Sequence, residues 1–459
     1  MAHNMNRCNL GYSLKNIPIP SRDAYLKKLI LQTESFIKRL RWKVFWFERK
    51  EEEDCENIEK DYFGFKSYNT PPQHKSLTNF EADLYDLIGN VKFRNAKDSF
   101  QDRMNKDLKM LKSGGKIIVE ADKTSNLYQL EADNYNELLH QNITSEYKAP
   151  LDPIATKNDI NRRTGIHAKK LGIEDRMEQY TETSCFITLK DHKENFSSHP
   201  KCRLINPAKS NLGKVSKSIL EKITSDVKVK TGAHLWKSTG EVLTWFKSLK
   251  NLKKARFIKF DIQEFYPSIT SDLLDRALDY ASTMTDITDE EREIVKLSKE
   301  SLLFNGERCW VKKSGASFDV TMGSLDGAET AEIIGVYLLG KIKKIIPQQH
   351  LGLYRDDGLA VINNTNAQKL DKLRKNLHEL FKQEQLKITV DICKDSVDYL
   401  DVVLNLQDMS YKPYRKPNDT PSYINTKSNH PPNIIKHIPT MISTRLSNIS
   451  SDENHLNET

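Results

Sequence analysis

Hydrophobic residues in the N-terminal part of the chain are spaced three and four positions apart, which is the period of an amphipathic α-helix. In residues 23 to about 61 these positions include Leu26, Ile30 and Ile37. The same spacing returns in residues 80–111. The pattern therefore predicts a helical N-terminal region.

The first predicted helix carries basic residues interleaved with Trp42, Phe45, Trp46 and Phe47. Bases stack on aromatic rings while Lys and Arg hold phosphates, so this segment can serve as a nucleic-acid platform. Alternatively, the aromatic residues belong to the core and the basic residues form a solvated face. The sequence leaves both interpretations open.

Short runs of β-branched and aromatic residues between polar turns predict strands in the middle of the chain. Residues 116–128 are predicted to form a strand, a polar turn at 122–126 and the start of a second strand, with a helix at 135–147 after them. Residues 186–189 and 202–205 are two further strand-like runs around a polar, basic loop. We therefore expect a β-hairpin with a basic loop at its tip.

Two strand patterns in the second half of the chain end in aspartate residues. Residues 255–262 form a strand-like run that contains Asp261. Residues 352–362 are predicted to form a β-hairpin with Asp356 and Asp357 at its turn, because apolar runs lie on both sides of Asp-Asp-Gly.

Predicted helices lie between and after these strands. Residues 328–346 form a helical pattern that Pro347 ends, and Ser271 and Thr288 are candidate N-caps, the latter in a T-D-E-E capping box. A further amphipathic helix is predicted next, and residues 386–392 after it are predicted to form a strand. Helices layered on a mostly antiparallel sheet are typical of an α+β fold.

The composition permits two or three domains and a nucleic-acid partner. The chain has 459 residues, 37% of them hydrophobic, and a formal net charge of +8. Its six cysteines form no C-x-x-C pair, which disfavours a zinc module and favours reduced, intracellular thiols. No apolar run approaches the roughly 18 residues of a membrane span, so we expect no membrane partner.

The adjacent carboxylates of Asp356 and Asp357 are the main candidates for chemistry. Their mutual repulsion is relieved by a divalent cation that prefers oxygen ligands, and Asp261 at the end of another strand can supply a third carboxylate. Asp-Asp-Gly is also a common solvated turn, and the turn alone does not distinguish the two interpretations.

The order of three motifs resembles that of reverse transcriptases. F-D-I-Q-E-F-Y at residues 260–266 and Y-R-D-D at 354–357 resemble their motifs A and C, and F-D-V-T-M-G-S-L-D-G-A-E-T-A-E-I-I-G at 318–335 stands in the place of motif B. The sequences of these motifs are most similar to those of Penelope-like retroelements, a group related to telomerase. The resemblance implies right-hand fingers and an antiparallel palm sheet backed by helices, a helical N-terminal region and an incomplete thumb.

The resemblance also implies an activity and its residues. It implies an RNA-directed DNA polymerase with an RNA template, a DNA primer and dNTPs as partners. Two Mg²⁺ ions, with Mn²⁺ as an alternative, would be held by the catalytic residues Asp261, Asp356 and Asp357. The incoming nucleotide would contact Lys190, Lys193, Arg203, Tyr266 and Gly323. From the residues alone, the loop of Lys190 and Lys193 can equally be a solvated basic hairpin.

Further expectations concern the organisation of the chain. We predict a basic helical region with a linker, a pre-catalytic α/β region, the fingers and palm, and the start of a thumb with a disordered tail, at 1–75, 76–180, 181–410 and 411–459. The polar sequence after Leu446 suggests C-terminal truncation and a mobile tail from Ser447. The resemblance implies a nuclear location. A nucleic-acid-binding remnant with impaired catalysis is the alternative function.

Overall fold

A computed structural model describes most of the chain, namely residues 5–8, 10–49, 70–93, 98–124, 126–174, 177, 182–193, 195–208, 210, 212–250, 252–314, 317–363, 366–393, 395–415 and 423–452. Residues 50–69, which hold the end of the first predicted helix and most of the predicted linker, and residues 453–459 of the predicted tail lie outside these residues.

The helices, numbered in chain order, are α1 (Arg22–Arg49), α2 (Thr78–Gly89), α3 (Ser99–Ser113), α4 (Ala132–Glu146), α5 (Pro153–Lys170), α6 (Leu212–Thr231), α7 (Thr239–Ser248), α8 (Phe265–Ser268), α9 (Ser271–Ser282), α10 (Asp289–Leu297), α11 (Gly327–Ile342), α12 (Ala367–Gln383) and α13 (Pro432–Asn448). The single helical section predicted at 80–111 is two helices, α2 and α3.

The strands are β1 (Asn6–Arg7), β2 (Ile117–Glu120), β3 (Leu127–Leu130), β4 (Tyr147–Lys148), β5 (Phe186–Leu189), β6 (Cys202–Ile205), β7 (His234–Leu235), β8 (Arg256–Ile262), β9 (Leu303–Asn305), β10 (Arg308–Lys312), β11 (Leu351–Tyr354), β12 (Asp357–Ile362), β13 (Ile388–Cys393), β14 (Ser396–Tyr399), β15 (Val402–Asn405) and β16 (Tyr411–Pro413). The hairpin predicted from 186–189 and 202–205 is confirmed as the antiparallel pair β5–β6.

A five-stranded sheet in the order β13-β8-β12-β11-β7 lies at the centre of the molecule. The pairs among β13, β8, β12 and β11 are antiparallel, as predicted. The edge strand β7 pairs in parallel with β11, at Gly352↔His234 and Leu353↔Leu235. The sequence did not predict this strand, because residues 230–240 read as a loop.

The two faces of the central sheet follow the two-residue period of its strands. On β8, Ile258, Phe260 and Ile262 pack in one core cluster, whereas Phe257 packs in another on the opposite face. Asp261 is an odd-numbered residue and therefore lies on the face of Phe257. The alternation thus places one catalytic candidate on a defined side of the sheet.

Helices α6, α9, α10, α11 and α12 cover the face of Ile258 and Phe260. Helix α11 contributes apolar residues around its whole circumference, including Ile333, Val336 and Leu338, so it is buried between its neighbours. This layer supports the sheet from behind and leaves the face of Asp261 for other elements.

The opposite face is only partly covered. Helix α7 and the sheet β14-β15-β16 pack there, and the Trp236 ring contacts the rings of both Trp245 and Tyr399. The predicted strand region 397–406 forms the hairpin β14–β15, with Leu400 and Asp401 at its turn. The end of the sheet that carries Asp261 stays open above this layer.

The N-terminal segment connects to the residues before α13. The Ile17 amide donates to Ser428 Oγ at 2.8 Å, and the Asn429 amide donates to the Ile17 carbonyl at 2.9 Å. Buried Gln101 of α3 accepts from the Ile19 amide and donates to the Lys427 carbonyl. We call residues 16–19 and 425–429 together the strap.

The prediction of a mobile tail from Ser447 is wrong for residues 447–452. Helix α13 continues to Asn448, Ile449 is buried against the second core cluster, and the Ser451 amide donates to the Tyr411 carbonyl at 2.9 Å. Since Arg445 also pairs with Asp401, this end of α13 is anchored. In the part of the chain that the structure describes, no helix is both long and apolar enough to cross a membrane.

Candidate active site

Two of the three predicted aspartates face each other across neighbouring strands. Asp261 of β8 is the direct partner of Asp357 at the start of β12. Residues opposite each other in an antiparallel pair carry their side chains on the same face, about 5 Å apart at Cβ. The structure therefore brings together two carboxylates that are far apart in the chain.

The third aspartate lies in the turn beside this pair. Asp356 follows Arg355, whose φ of +54° lies in the left-handed region that a two-residue hairpin turn requires. The Asp356 carbonyl accepts from the Ile262 amide at 3.0 Å, so the turn is held against the end of β8. The predicted turn at Asp356 and Asp357 is thus Arg355-Asp356, with Asp357 already in the strand.

The glycine after the two aspartates has a packing role. A Cβ on Gly358 would lie 2.0 Å from Cζ of Phe260, its cross-strand partner. The neighbouring carbonyl of Asp357 accepts a 2.6 Å hydrogen bond from the buried Tyr399 hydroxyl. These contacts fix the backbone beneath the carboxylates.

Burial and like charges act together on these carboxylates. The pKa of Asp357 is raised to about 6, first by burial and then by the charges of Asp356 and Asp261. Burial and the charge of Asp356 also raise the pKa of Asp261, against smaller opposing effects of Lys193 and Lys123. The carboxylates therefore carry an unfavourable interaction that a bound cation would relieve.

The carboxylate oxygens are of the ligand type that Mg²⁺ prefers, although they do not by themselves complete its coordination shell. Among the residues that the structure describes, no three His, Cys, Asp or Glu side chains are grouped as ligands of one ion. Mg²⁺ commonly binds through one or two carboxylates and completes its shell with water and substrate phosphates. The pair Asp261 and Asp357, with Asp356 beside it, meets that smaller requirement.

The aspartates lie in a cleft of about 1670 Å³. Three predicted nucleotide-binding residues also line it, Arg203, Tyr266 and Gly323. Lys190 and Lys193 are not among its lining residues as the structure describes them, and burial lowers the pKa of Lys190. The structure therefore joins six of the eight predicted site residues in one cleft.

Gly323 is required by the protein's own packing. Its φ is +120°, and a Cβ there would lie 2.5 Å from the carbonyl oxygen of Asn206. Asn206 is buried and donates to Ser301 Oγ and the Leu302 carbonyl. The loop of Gly323 is thus fixed on the end of β6, close to Arg203.

Several lining residues were not predicted from the sequence. Lys123 comes from the β2–β3 turn, Asp401 from the β14–β15 turn, and one side of α13 contributes His437, Met441 and Arg445. These α13 residues recur every four positions, which is a helical spacing that the sequence shows. Nothing local in the sequence indicates that the two turns reach the aspartates.

No protein-family model and no curated protein matches the chain. Among solved structures, telomerase from Candida albicans, in complex with a fragment of telomeric RNA, matches with a TM-score of 0.51 at 12% identity, over 79% of this chain. The chain has a right-hand polymerase fold. The matched part is 64% of the length of that telomerase.

Two further solved structures also match. Apo telomerase from Candida tropicalis has a TM-score of 0.48 at 10% identity, covering 73% of this chain and 66% of that chain. The RNA-dependent RNA polymerase of a human picobirnavirus has a TM-score of 0.39 at 10% identity, covering 83% and 82%.

In right-hand terms, the five-stranded sheet is the palm and the β5–β6 hairpin belongs to the fingers. The predicted fold class is confirmed: the antiparallel palm strands are backed by helices and the N-terminal region is helical. The three aspartates lie where the palm strands β8 and β12 meet the cleft, Asp261 near the end of β8, Asp357 at the start of β12 and Asp356 in the turn before it.

Proposed function

We propose that the chain is an RNA-directed DNA polymerase of a Penelope-like retroelement, acting on a primer 3′-hydroxyl. The observation that carries this proposal is the pairing of Asp261 with Asp357, with Asp356 in the adjoining turn, in a cleft lined by Arg203 and Tyr266. A polymerase needs carboxylates for metal binding and cations for the triphosphate in one place, and this cleft holds both.

Asp261, Asp356 and Asp357 would hold two Mg²⁺ ions, or Mn²⁺ in their place. When bound, such ions lower the pKa of the attacking hydroxyl and neutralise charge on the transferred phosphoryl group. The raised pKa of Asp261 and of Asp357 supports a cation site, since the carboxylates repel each other without one.

The partners would be an RNA template, a DNA primer and dNTPs. The cleft is large enough for a nucleotide and the end of a duplex, and half-buried Tyr266 lies on its wall beside Gly327. The fold likeness to a telomerase that was solved with telomeric RNA supports an RNA partner. Insertion of a DNA copy into chromosomes would place the protein in the nucleus.

A primer-extension assay tests the proposal. The protein is incubated with a DNA primer on an RNA template, with dNTPs or with ribonucleotides, in Mg²⁺, Mn²⁺ or EDTA. We expect extension with dNTPs and a divalent cation, and none in EDTA. Preferential use of ribonucleotides would contradict DNA synthesis. Primer–template binding without any extension would instead support the catalytically impaired remnant.

A further inference from the structure

The described residues of the β2–β3 turn, 121–124 and 126, are docked on the fingers hairpin. Ala121 forms a parallel bridge with Leu189 of β5, and the Asp122 amide donates to the Leu189 carbonyl at 2.8 Å. The Asp122 side chain is 7% exposed and accepts from Arg203 Nη1 at 2.6 Å. This turn is thus anchored to β5 and β6.

One carboxylate oxygen holds the far side of the same turn. Asp191 Oδ2 accepts from Thr124 Oγ1 at 2.7 Å, from Asn126 Nδ2 at 2.7 Å and from the Tyr128 hydroxyl at 3.1 Å. Charge-assisted hydrogen bonds of this kind are stronger than neutral ones, and three of them converge here. The turn is therefore fixed on both sides of Lys123.

Lys123 is the residue that this turn presents to the cleft. It lines the cleft together with Arg203 and Asp261 and is exposed. Among the described residues no carboxylate forms an ion pair with Lys123, whereas Arg203 is already paired with Asp122. The turn thus brings a free ammonium group to the aspartates from outside the β5–β6 hairpin.

We propose that Lys123 binds the polyphosphate of the incoming nucleotide beside Arg203, and that Asp122 and Asp191 are positioning residues for these two cations. This inference rests on the proposed function and adds a residue to its nucleotide site. A triphosphate needs several cations at once, and the planar guanidinium of Arg203 and the compact ammonium of Lys123 complement each other. Lys193 also acts on the charge of Asp261, but neither Lys190 nor Lys193 lines the cleft as the structure describes it.

The Lys123→Ala variant tests the contact in primer extension. We expect KM for dNTP to rise about tenfold or more, with kcat changed much less, because a charge-assisted phosphate contact is lost. Lys123→Arg should restore most of the affinity. The matched control is Lys116→Ala, which removes a lysine of the same hairpin that pairs with Glu131 instead. An unchanged KM in Lys123→Ala would overturn the proposal.

The positioning role of Asp191 has its own readout. Asp191→Asn should raise KM for dNTP with little effect on kcat, and the double variant with Lys123→Ala should show no further increase, because both changes remove one interaction. Increases in KM that multiply in the double variant would show that Asp191 does not act through Lys123.

Direct binding separates this inference from the proposed function. Inorganic tripolyphosphate is titrated into the wild type and into Lys123→Ala, and binding is followed by calorimetry without primer, template or turnover. Weaker binding by Lys123→Ala supports the anion site even if the wild type extends no primer, a result that would contradict only the polymerase proposal. Equal binding by both proteins, or none by the wild type, would overturn the anion site.

Discussion

At the scale of single residues, Asp357 is a carboxyl group whose ionisation is opposed by its surroundings. It is largely buried and faces the like charges of Asp261 and Asp356, and its pKa is raised from its ordinary value of 3.8 to about 6. A carboxyl group with a higher pKa in the folded state binds more protons when folded. Stability is therefore lost as the pH rises from about 4 to about 6, and the loss persists above that range.

The Asp357→Asn variant removes this ionisation. In metal-free buffer we expect its midpoint of thermal unfolding to equal that of the wild type below about pH 4. Above pH 6 the variant should unfold a few degrees higher, about 2–4 °C. Thermal melts followed by circular dichroism across this pH range provide the measurement. Asp391→Asn, at an exposed site on β13, is the control. A difference that does not depend on pH would contradict this explanation.

Tyr266 is the residue with a predicted effect on sugar choice. Its ring lies on the wall of the cleft and packs 3.4 Å from the position that a Cβ on Gly327 would occupy. A ring beside the sugar excludes a 2′-hydroxyl, so Tyr266→Ala should raise ribonucleotide use relative to deoxyribonucleotide use, on the order of tenfold.

Single-nucleotide incorporation with matched dNTP and ribonucleotide gives the ratio of the two kcat/KM values for each variant. Tyr266→Phe keeps the ring and should keep the ratio of the wild type. If Tyr266→Ala leaves this ratio unchanged, the residue serves only in packing.

At the scale of elements, the β11–β12 hairpin depends on Gly358. Since a Cβ there would lie 2.0 Å from the Phe260 ring, Gly358→Ala should lower the free energy of unfolding by about 1–3 kcal/mol. The same change in a Phe260→Leu background should cost less, because the smaller side chain leaves room. Urea denaturation of the four proteins measures both costs. Equal costs in the two backgrounds would contradict the steric explanation.

The strands of the palm were predictable because their signals are local. The runs that contain Asp261 and Asp357 show apolar residues on both sides of an aspartate, and this pattern does not depend on distant residues. Strand β7 was not predictable, since its two residues pair in parallel with β11 far along the chain. The cleft residues Lys123 and Asp401 were also missed. Each belongs to an ordinary polar turn, and its position in the cleft depends on contacts with distant parts of the chain.

Two local predictions also needed correction. The helix expected to be capped by Ser271 is capped by Thr270, whose hydroxyl accepts from the Leu273 amide at 3.1 Å. Both residues have suitable hydroxyl groups, so composition alone did not choose between them. The sequence after Leu446 has few apolar residues, yet Ile449 and Leu446 pack that end of α13 against the second core cluster.

At the scale of the whole molecule, α13 is held at both ends above the cleft. Its C-terminal end is fixed by Ile449 and by the pair of Arg445 with Asp401. The segment before its N-terminal end is fixed by the strap to α3, with Gln101 between Ile19 and Lys427. Under the proposed function, a helix held in this way would stay against the product duplex during nucleotide addition.

Gln101→Ala removes both hydrogen bonds of Gln101 within this connection. We expect fewer nucleotides added per binding event, with a larger loss as salt rises, because duplex binding through phosphates weakens with salt. The rate of the first addition should change little, since Gln101 does not line the cleft. A processivity assay with a trap, at low and moderate salt, measures this.

Gln141→Ala is the matched control, because the exposed side chain of Gln141 donates to Glu137 on the surface of α4. Product lengths equal to those of the wild type at both salt concentrations would show that the strap has no part in holding the duplex.

The central claim is that Asp261, Asp356 and Asp357 hold the catalytic metal ions, and single-turnover primer extension in Mg²⁺ tests it most directly. We predict that Asp261→Asn and Asp356→Asn each lower the rate by about 10²-fold or more, because transition-state stabilisation by the metal is lost. Their thermal unfolding midpoints should stay at or above that of the wild type, and Asp391→Asn should keep full activity. Extension at the wild-type rate by either variant would contradict the account.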